Sequence, residues 1–243
     1  MIKRYQYRWM VLLVGLVVVI TTLVMSRINQ KKSHCTEAKV KFDVPASARF
    51  ISEEAILDYL RQREVVFLGV PVSDIPLRKA EHELRQQPFV RSVDCYVDLN
   101  NTFTVEIEQR KPILRVYPKY GKPYYIDEDG GTFPLSDLFS ANVTVASGNI
   151  TRAMTDKLYT VASHVHQSDF LKAFIEHIFV KDDGELICTT QIAGHQVVIG
   201  DEKQLETKFA KLELFYDRAL KNIGWESYRE INLSYKDQVI GRK

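Results

Sequence analysis

The feature that most constrains this 243-residue chain is the stretch Trp9–Met25, WMVLLVGLVVVITTLVM. It carries no charge, and only Gly15, Thr21 and Thr22 fall outside the strongly apolar set. At ~1.5 Å rise per residue it reaches roughly 26 Å as a helix, about the width of a bilayer's hydrocarbon core. Its eleven Leu, Ile and Val residues contribute about −0.3 to −0.6 kcal/mol each near a helix centre, about −3 to −7 kcal/mol together. The run predicts a transmembrane signal anchor over 9–25, with Trp9, Leu12, Leu16, Ile20 and Leu23 among its anchoring residues. A tail at 1–8 precedes it and a large soluble part follows.

A cleaved signal peptide is the competing reading. The basic start is present as Lys3, Arg4 and Arg8. The apolar core is longer than the roughly 7–15 residues of such a peptide. The following Ser26-Arg27-Ile28-Asn29-Gln30-Lys31-Lys32 has no Ala-x-Ala cleavage pattern, and Lys32-Ser33-His34 before Cys35 lacks the small apolar approach of a lipoprotein site. The retained anchor is the better match. Flanking charge does not orient it, since three Lys/Arg precede the run and Arg27, Lys31, Lys32 and Lys39 follow it. The short leading tail points to a cytoplasmic N-terminus and an exported remainder.

Of the 33 basic residues six lie in 1–32, where there is no acid, which leaves 27 against 31 acidic ones. The part beyond residue 32 is therefore net −4, and the chain's basic balance belongs to the membrane flanks, where it anchors to anionic headgroups. Nothing in that part makes an electrostatic case for nucleic acid. Its length suffices for one large or two small domains. The three cysteines, Cys35, Cys95 and Cys188, contain no C-x-x-C, so zinc and thioredoxin-type readings fail. Alternation with Val93 and Val97 predicts Cys95 as a buried thiol in a strand. A Cys95–Cys188 bridge stays open for an oxidising compartment.

Residues 26–36 are polar and aperiodic and read as a linker. Ala38–Val44 alternates as a strand. Ser52-Glu53-Glu54 opens a helix with a hydroxyl cap and two acids in its first turn. Val65–Val72 reads as a loop, and Pro76–Gln86 as a second helix that starts on a proline and is ended by Pro88. Phe89–Leu99 and Thr102–Gln109 alternate as strands around the hairpin signal Asn100-Asn101. Strand, helix, helix, strand, strand predicts a three-stranded sheet with two helices on one face.

Lys111-Pro112 opens a second unit. Ile113–Tyr117 and Lys122–Ile126 read as strands, followed by the acidic turn 127–131 and Thr132-Phe133. Residues 151–165 and 168–177 read as helices. Ile178–Lys181, Glu185–Thr190 and Gln196–Ile199 read as strands punctuated by glycines. Glu202–Asn222 reads as an amphipathic helix with Leu205, Phe209, Leu212, Tyr216, Ala219 and Ile223 on one stripe. Glu230–Ile240 reads as a final strand. The fold class is α+β, with domains at 37–111 and 112–243.

Several stretches carry a resemblance. Pro88-Phe89-Val90-Arg91-Ser92-Val93 leads through Asn101-Thr102-Phe103-Thr104-Val105-Glu106-Ile107 to Glu108-Gln109-Arg110-Lys111-Pro112. Tyr125-Ile126-Asp127-Glu128-Asp129-Gly130-Gly131-Thr132-Phe133, Gly194–Gly200 and Ile231-Asn232-Leu233-Ser234-Tyr235 follow in order. Together with the single anchor, this layout resembles the FtsQ/DivIB cell-division family and its POTRA domain, and its wording leans toward the Bacteroidetes branch. The chain departs from the family pattern at Asn101, at Phe103 and by one extra residue before Pro112.

The resemblance implies a non-enzymatic adaptor in the inner membrane at the division septum, with periplasmic domains, that joins FtsB/FtsL-type bitopic partners. It implies that a partner strand adds to the open edge of the second domain's sheet, at Tyr235, Lys236, Asp237, Gln238, Val239 and Ile240. It also implies a localising role for the first domain. No cofactor, metal or small-molecule substrate is expected. The acidic turn lacks the spaced ligands of an EF-hand. His164 and His166, two apart on a helix, point apart, and His195 after Gly194 reads as solvated. Alternatives are an anchored periplasmic hydrolase or sensor, which would need a polar constellation in a pocket, and a POTRA module of an outer-membrane assembly system, which would need a downstream barrel.

Overall fold

The computed structural model describes residues 13–22, 33–220, 223–236 and 238–243. Residues 13–22 are helical with their apolar side chains exposed, Leu13 by 59% and Ile20 by 50%. The Thr21 and Thr22 hydroxyls donate back to the Val17 and Val18 carbonyls at 2.9 and 2.8 Å, so neither is an unpaired polar group on that surface. Leu16 and Ile20 lie on this helix, whereas the tail 1–8 and Trp9, Leu12 and Leu23 lie outside the described residues. Among the described residues no helix is long and apolar enough to cross a membrane. The chain divides into two compact units at Gln109/Arg110.

The first unit runs β1 (Glu37–Phe42), α1 (Glu53–Gln62), α2 (Leu77–Leu84), β2 (Val90–Val97) and β3 (Thr102–Gln109). Its sheet order is β1-β3-β2, with β1 parallel and β2 antiparallel to β3. Local chemistry sets the boundaries. The Ser52 hydroxyl accepts from the Ala55 N–H at 3.1 Å to cap α1. Asn101 takes a positive φ of 60° in the hairpin, and Asp98 Oδ1 accepts from the N–H groups of Asn100 and Thr102 at 2.8 and 3.0 Å. Pro76 sits before α2 as its cap, one position earlier than the sequence suggests.

Ile56 and Leu60 of α1 and Ala80 and Leu84 of α2 pack with Val40, Val93, Cys95, Phe103, Val105 and Ile107 of the sheet. As the middle strand, β3 is shielded on both sides, so Thr104 is buried as well. Buried Gln109 is satisfied at both ends of its amide: Oε1 accepts from the Phe50 N–H at 2.7 Å and Nε2 donates to the Ala48 carbonyl at 3.0 Å. The linker boundary is corrected by what residues 33–36 do. Cys35 is 1% exposed in this core, and Ser33–Cys35 pair with 69–72 through Cys35 N–H to Val70 O at 3.0 Å and Val72 N–H to Ser33 O at 3.0 Å. Burial of one thiol outweighs the polar look of its neighbours.

The second unit runs β4 (Pro112–Pro118), β5 (Tyr124–Asp127), β6 (Thr132–Pro134), β7 (Thr144–Gly148), α3 (Arg152–Gln167), α4 (Asp169–Phe174), β8 (Ile175–Val180), β9 (Leu186–Thr190), β10 (Gln196–Gly200), α5 (Leu205–Phe215), β11 (Glu230–Asn232) and β12 (Ile240–Arg242). The sheet order is β12-β11-β10-β9-β8-β7-β4-β5-β6. Pairings β4–β7, β7–β8 and β10–β11 are parallel and the others antiparallel. Leu158, Val161, Ala162 and Val165 of α3 and Leu205, Phe209 and Leu212 of α5 pack on the face that presents Leu114, Val116, Ile178, Val197 and Ile199. On the opposite face Tyr117 and Phe179 are each 42% exposed.

Four differences from the sequence reading have physical reasons. β7 (TVASG) went unseen because it is short and made of small residues. It must be so at Gly148, which has φ +112° and where a Cβ would lie 2.1 Å from the Val180 carbonyl oxygen. The helix expected over 168–177 ends at Phe174, because Ile175 and Ile178 are needed in the sheet core. The helix expected over 202–222 starts at Leu205 and opens into a π turn at Tyr216–Leu220. Leu205, Phe209, Leu212 and Tyr216 are buried as the stripe requires, but Ile223 is 51% exposed. The last expected strand, Glu230–Ile240, is two strands. Asn232 Oδ1 accepts from both the backbone N–H and the hydroxyl of Ser234, at 2.9 and 2.6 Å, and turns the chain there.

Candidate partner-binding edge

A nine-stranded open sheet has two edges, and here they are built differently. The β6 edge is blunted. Pro134 has no N–H to offer, and Phe133 is buried against Tyr125 with ring centroids 5.2 Å apart. The acidic turn before β6 is accounted for by its own hydrogen bonds. Buried Asp127 accepts from Arg110 at 2.6 Å and from the N–H groups of Gly131 and Asp129 at 2.7 and 3.1 Å. Among the described residues no group of His, Cys, Asp and Glu is placed to hold a metal.

The β12 edge is short and carries no proline. Arg242, Gly241 and Ile240 pair with Glu230, Ile231 and Asn232 of β11, and Arg242 forms an ion pair with Glu230 at 3.1 Å. Gly241 is required sterically, because a Cβ there would come within 2.6 Å of the Tyr228 ring. Of the residues expected at this edge, Ile240 opens β12, and Gln238 and Val239 lead into it. Tyr235 and Lys236 lie in the bend after β11, where their carbonyls accept from Lys211 Nζ of α5 at 2.7 and 3.2 Å. Asp237 lies outside the described residues. Gly241 and Arg242 were not named from sequence; a glycine followed by two cations near the end of a polar stretch gives no strand signal.

His195 corrects another expectation. It is 1% exposed rather than solvated. Its Nε2 lies 2.6 Å from the Trp225 carbonyl oxygen and its Nδ1 2.5 Å from the Tyr216 hydroxyl. A carbonyl only accepts, so Nε2 carries the proton and Nδ1 accepts from the Tyr216 O–H. Burial pushes the Tyr216 phenol up to about 12, partly opposed by a hydrogen bond with Thr190. The Tyr216 ring also packs on Phe174 at 4.7 Å and Trp225 at 5.5 Å. This latch fixes the segment that feeds β11, and so the register of the terminal hairpin. Sequence gave no hint of it, since the partners stand 21 and 30 positions away.

The model of the C-terminal related domain of FtsQ/DivIB matches residues 111–242, and a POTRA-like domain model matches residues 33–108. The chain belongs to the FtsQ/DivIB family. It is similar to the cell division protein FtsQ of Geotalea daltonii, 26% identical over 208 residues that cover 79% of this chain and 74% of the relative. FtsQ/DivIB membership makes the chain a component of the division machinery and gives its first unit as POTRA-like.

Within this FtsQ/DivIB member the side chains were searched for a nucleophile with its base. The nearest arrangement is Ser147 Oγ at 2.9 Å from His177 Nε2, a diagonal pair across β7 and β8. Burial lowers the His177 pKa from its ordinary value, against a rise from Glu176. No carboxylate among the described residues is hydrogen-bonded to that ring, so the pair lacks the oriented third member of a hydrolytic site. The three cysteines are free and buried, so no Cys95–Cys188 bridge forms. Burial beside Glu81 pushes the Cys95 thiol up to about 12, and burial alone pushes Cys188 up.

Proposed function

We propose that the chain is a membrane-anchored, non-enzymatic adaptor of the divisome that binds FtsB/FtsL-type bitopic partners by strand addition at β12 during septal wall synthesis. The observation that carries this reading is the contrast between the sheet's two ends, with β6 closed by Pro134 and β12 free of proline and held in place by the His195 latch. An edge strand offers main-chain N–H and C=O groups that an extended partner segment satisfies, which yields affinity without any chemistry. The run at 9–25 supplies the anchor, with the N-terminus in the cytoplasm and the two units in the periplasm. Confinement to one bilayer raises the effective concentration of the edge near partners held there. The POTRA-like unit places the protein at the division site.

Capture of partners from solubilised membranes by the full chain tests the binding role. Two bitopic coiled-coil partners are expected, and both should be lost when Val239→Lys is combined with Ile240→Pro. Retention of both by that variant would contradict the reading. Cytoplasmic activity of a reporter fused after Lys243 would overturn the orientation. Exchange of the POTRA-like unit for an unrelated domain should abolish septal placement.

A further inference from the structure

The strands that end at β12 carry a pattern that an added strand must continue. Register pairs place Ile240 in a row with Asn232, Val198, Ile187 and Phe179, and through β7 with Tyr117. The neighbouring row runs Arg242, Glu230, Gln196, Thr189. Both rows lie on the face away from the helices, because Ile231, which pairs with Gly241 between them, is fully buried in the core. One row is largely apolar and the other polar with charge at its outer end. Side chains directly opposite on adjacent strands interact, so the next strand outward meets Ile240 and Arg242 on one face, two residues apart. On the other face it meets no side chain from Gly241 but the half-buried Tyr228 ring that occupies that place and packs on Phe215 at 5.8 Å.

Charge adds a second requirement. Residues 228–243 hold four basic residues, Arg229, Lys236, Arg242 and Lys243, and two acidic ones, although the part beyond residue 32 is net −4. Arg242 is paired with Glu230 but its side chain is 66% exposed. Arg229, Lys236 and Lys243 are exposed, and no acidic group among the described residues forms an ion pair with them. The sheet edge is therefore a local cationic site on an acidic body.

We propose that the β12 edge selects an acidic partner strand with a carboxylate beside Arg242, an apolar side chain two residues away beside Ile240, and an apolar residue between them against Tyr228. In an antiparallel strand, the more stable pairing, the order is acidic, apolar, apolar. The inference rests on the edge reading above and adds the chemistry of the occupant. It follows from the register of this sheet and the charges of this terminal segment.

The test uses the full chain in detergent and labelled extended peptides that share Thr/Val flanks and differ at the centre: Glu-Val-Val, Lys-Val-Val and Glu-Val-Asp. Fluorescence anisotropy at low ionic strength should show the first binding about fivefold or more tighter than either other, with the Glu/Lys difference shrinking at high salt. Arg242→Glu should reverse the preference between the Glu and Lys peptides. Equal binding of those two to the unmodified chain, or a preference unchanged by Arg242→Glu, would overturn the inference. If Val239→Lys with Ile240→Pro still abolishes capture of membrane partners, that result leaves the edge reading standing and the occupant's chemistry wrong. If the double variant leaves both peptide binding and partner capture intact, the edge reading itself fails and the inference with it.

Discussion

The two ends of the nine-stranded sheet solve the same problem in opposite ways. At β6 the charge pair is buried: Asp127 has a side chain only 3% exposed, and Arg110 reaches it at 2.6 Å. At β12 the pair is open, with Arg242 66% and Glu230 28% exposed. The β6 strand contains a proline and the β12 strand does not. One end spends its polar groups on itself, so nothing remains for a partner. The other keeps its backbone and charges accessible and relies on a side-chain latch, His195, one strand further in. An edge can be held in a defined geometry without being closed, provided that the restraint comes from behind the strand and not from its rim.

This contrast can be broken at either end. The largest effect is expected for Asp127→Ala, which leaves the Arg110 guanidinium and two turn N–H groups without their acceptor. Discounted for Arg110's partial exposure, it should cost about 2–3 kcal/mol in denaturant unfolding of the second unit. His195→Phe should follow at about 2 kcal/mol, because the Trp225 carbonyl and the Tyr216 hydroxyl lose their partner. Its damage should concentrate in hydrogen exchange of 223–243 and in partner capture. His195→Gln, whose amide can donate to one group and accept from the other, should restore most of both. If His195→Phe leaves exchange at β11 and β12 unchanged, the latch does not hold the hairpin.

Smaller effects sharpen the comparison. His177 sits between the two ends, and burial holds its pKa below the ordinary 6.5. A folded-state pKa that is depressed favours the neutral ring, so its contribution is complete above about 6.5 and is lost as pH falls toward the folded value. Stability of the second unit should therefore decline over that window, and His177→Gln should flatten the decline. Smallest of all, Pro134→Thr returns one N–H to the β6 edge and should change stability by less than about 0.5 kcal/mol. Partner capture should not change. A gain of capture would show that proline alone distinguishes the ends.

Much of the first unit was legible because its signals are local. A hydroxyl cap at Ser52, a proline before α2, an asparagine in the hairpin and strict alternation in β3 each act within a few residues. The second unit was less legible because its strands depend on distant partners. β7 is a strand only because β4 and β8 flank it, and its small residues reflect the Val180 carbonyl against Gly148. The terminal hairpin was read as one strand because the turn rests on an Asn232 side chain and on Gly241 packing under Tyr228. His195 looked solvated because its bonds are made by a phenol and a carbonyl far along the chain. The candidate edge was placed in the right segment by resemblance, but its outermost residues, Gly241 and Arg242, needed the register to be seen.

The most direct test of the central claim is amide hydrogen exchange of the full chain with and without its captured division partners. The account predicts new protection at Ile240–Arg242 with β6 unchanged. New protection at Thr132–Pro134, or none at β12 in a complex that has formed, would contradict it.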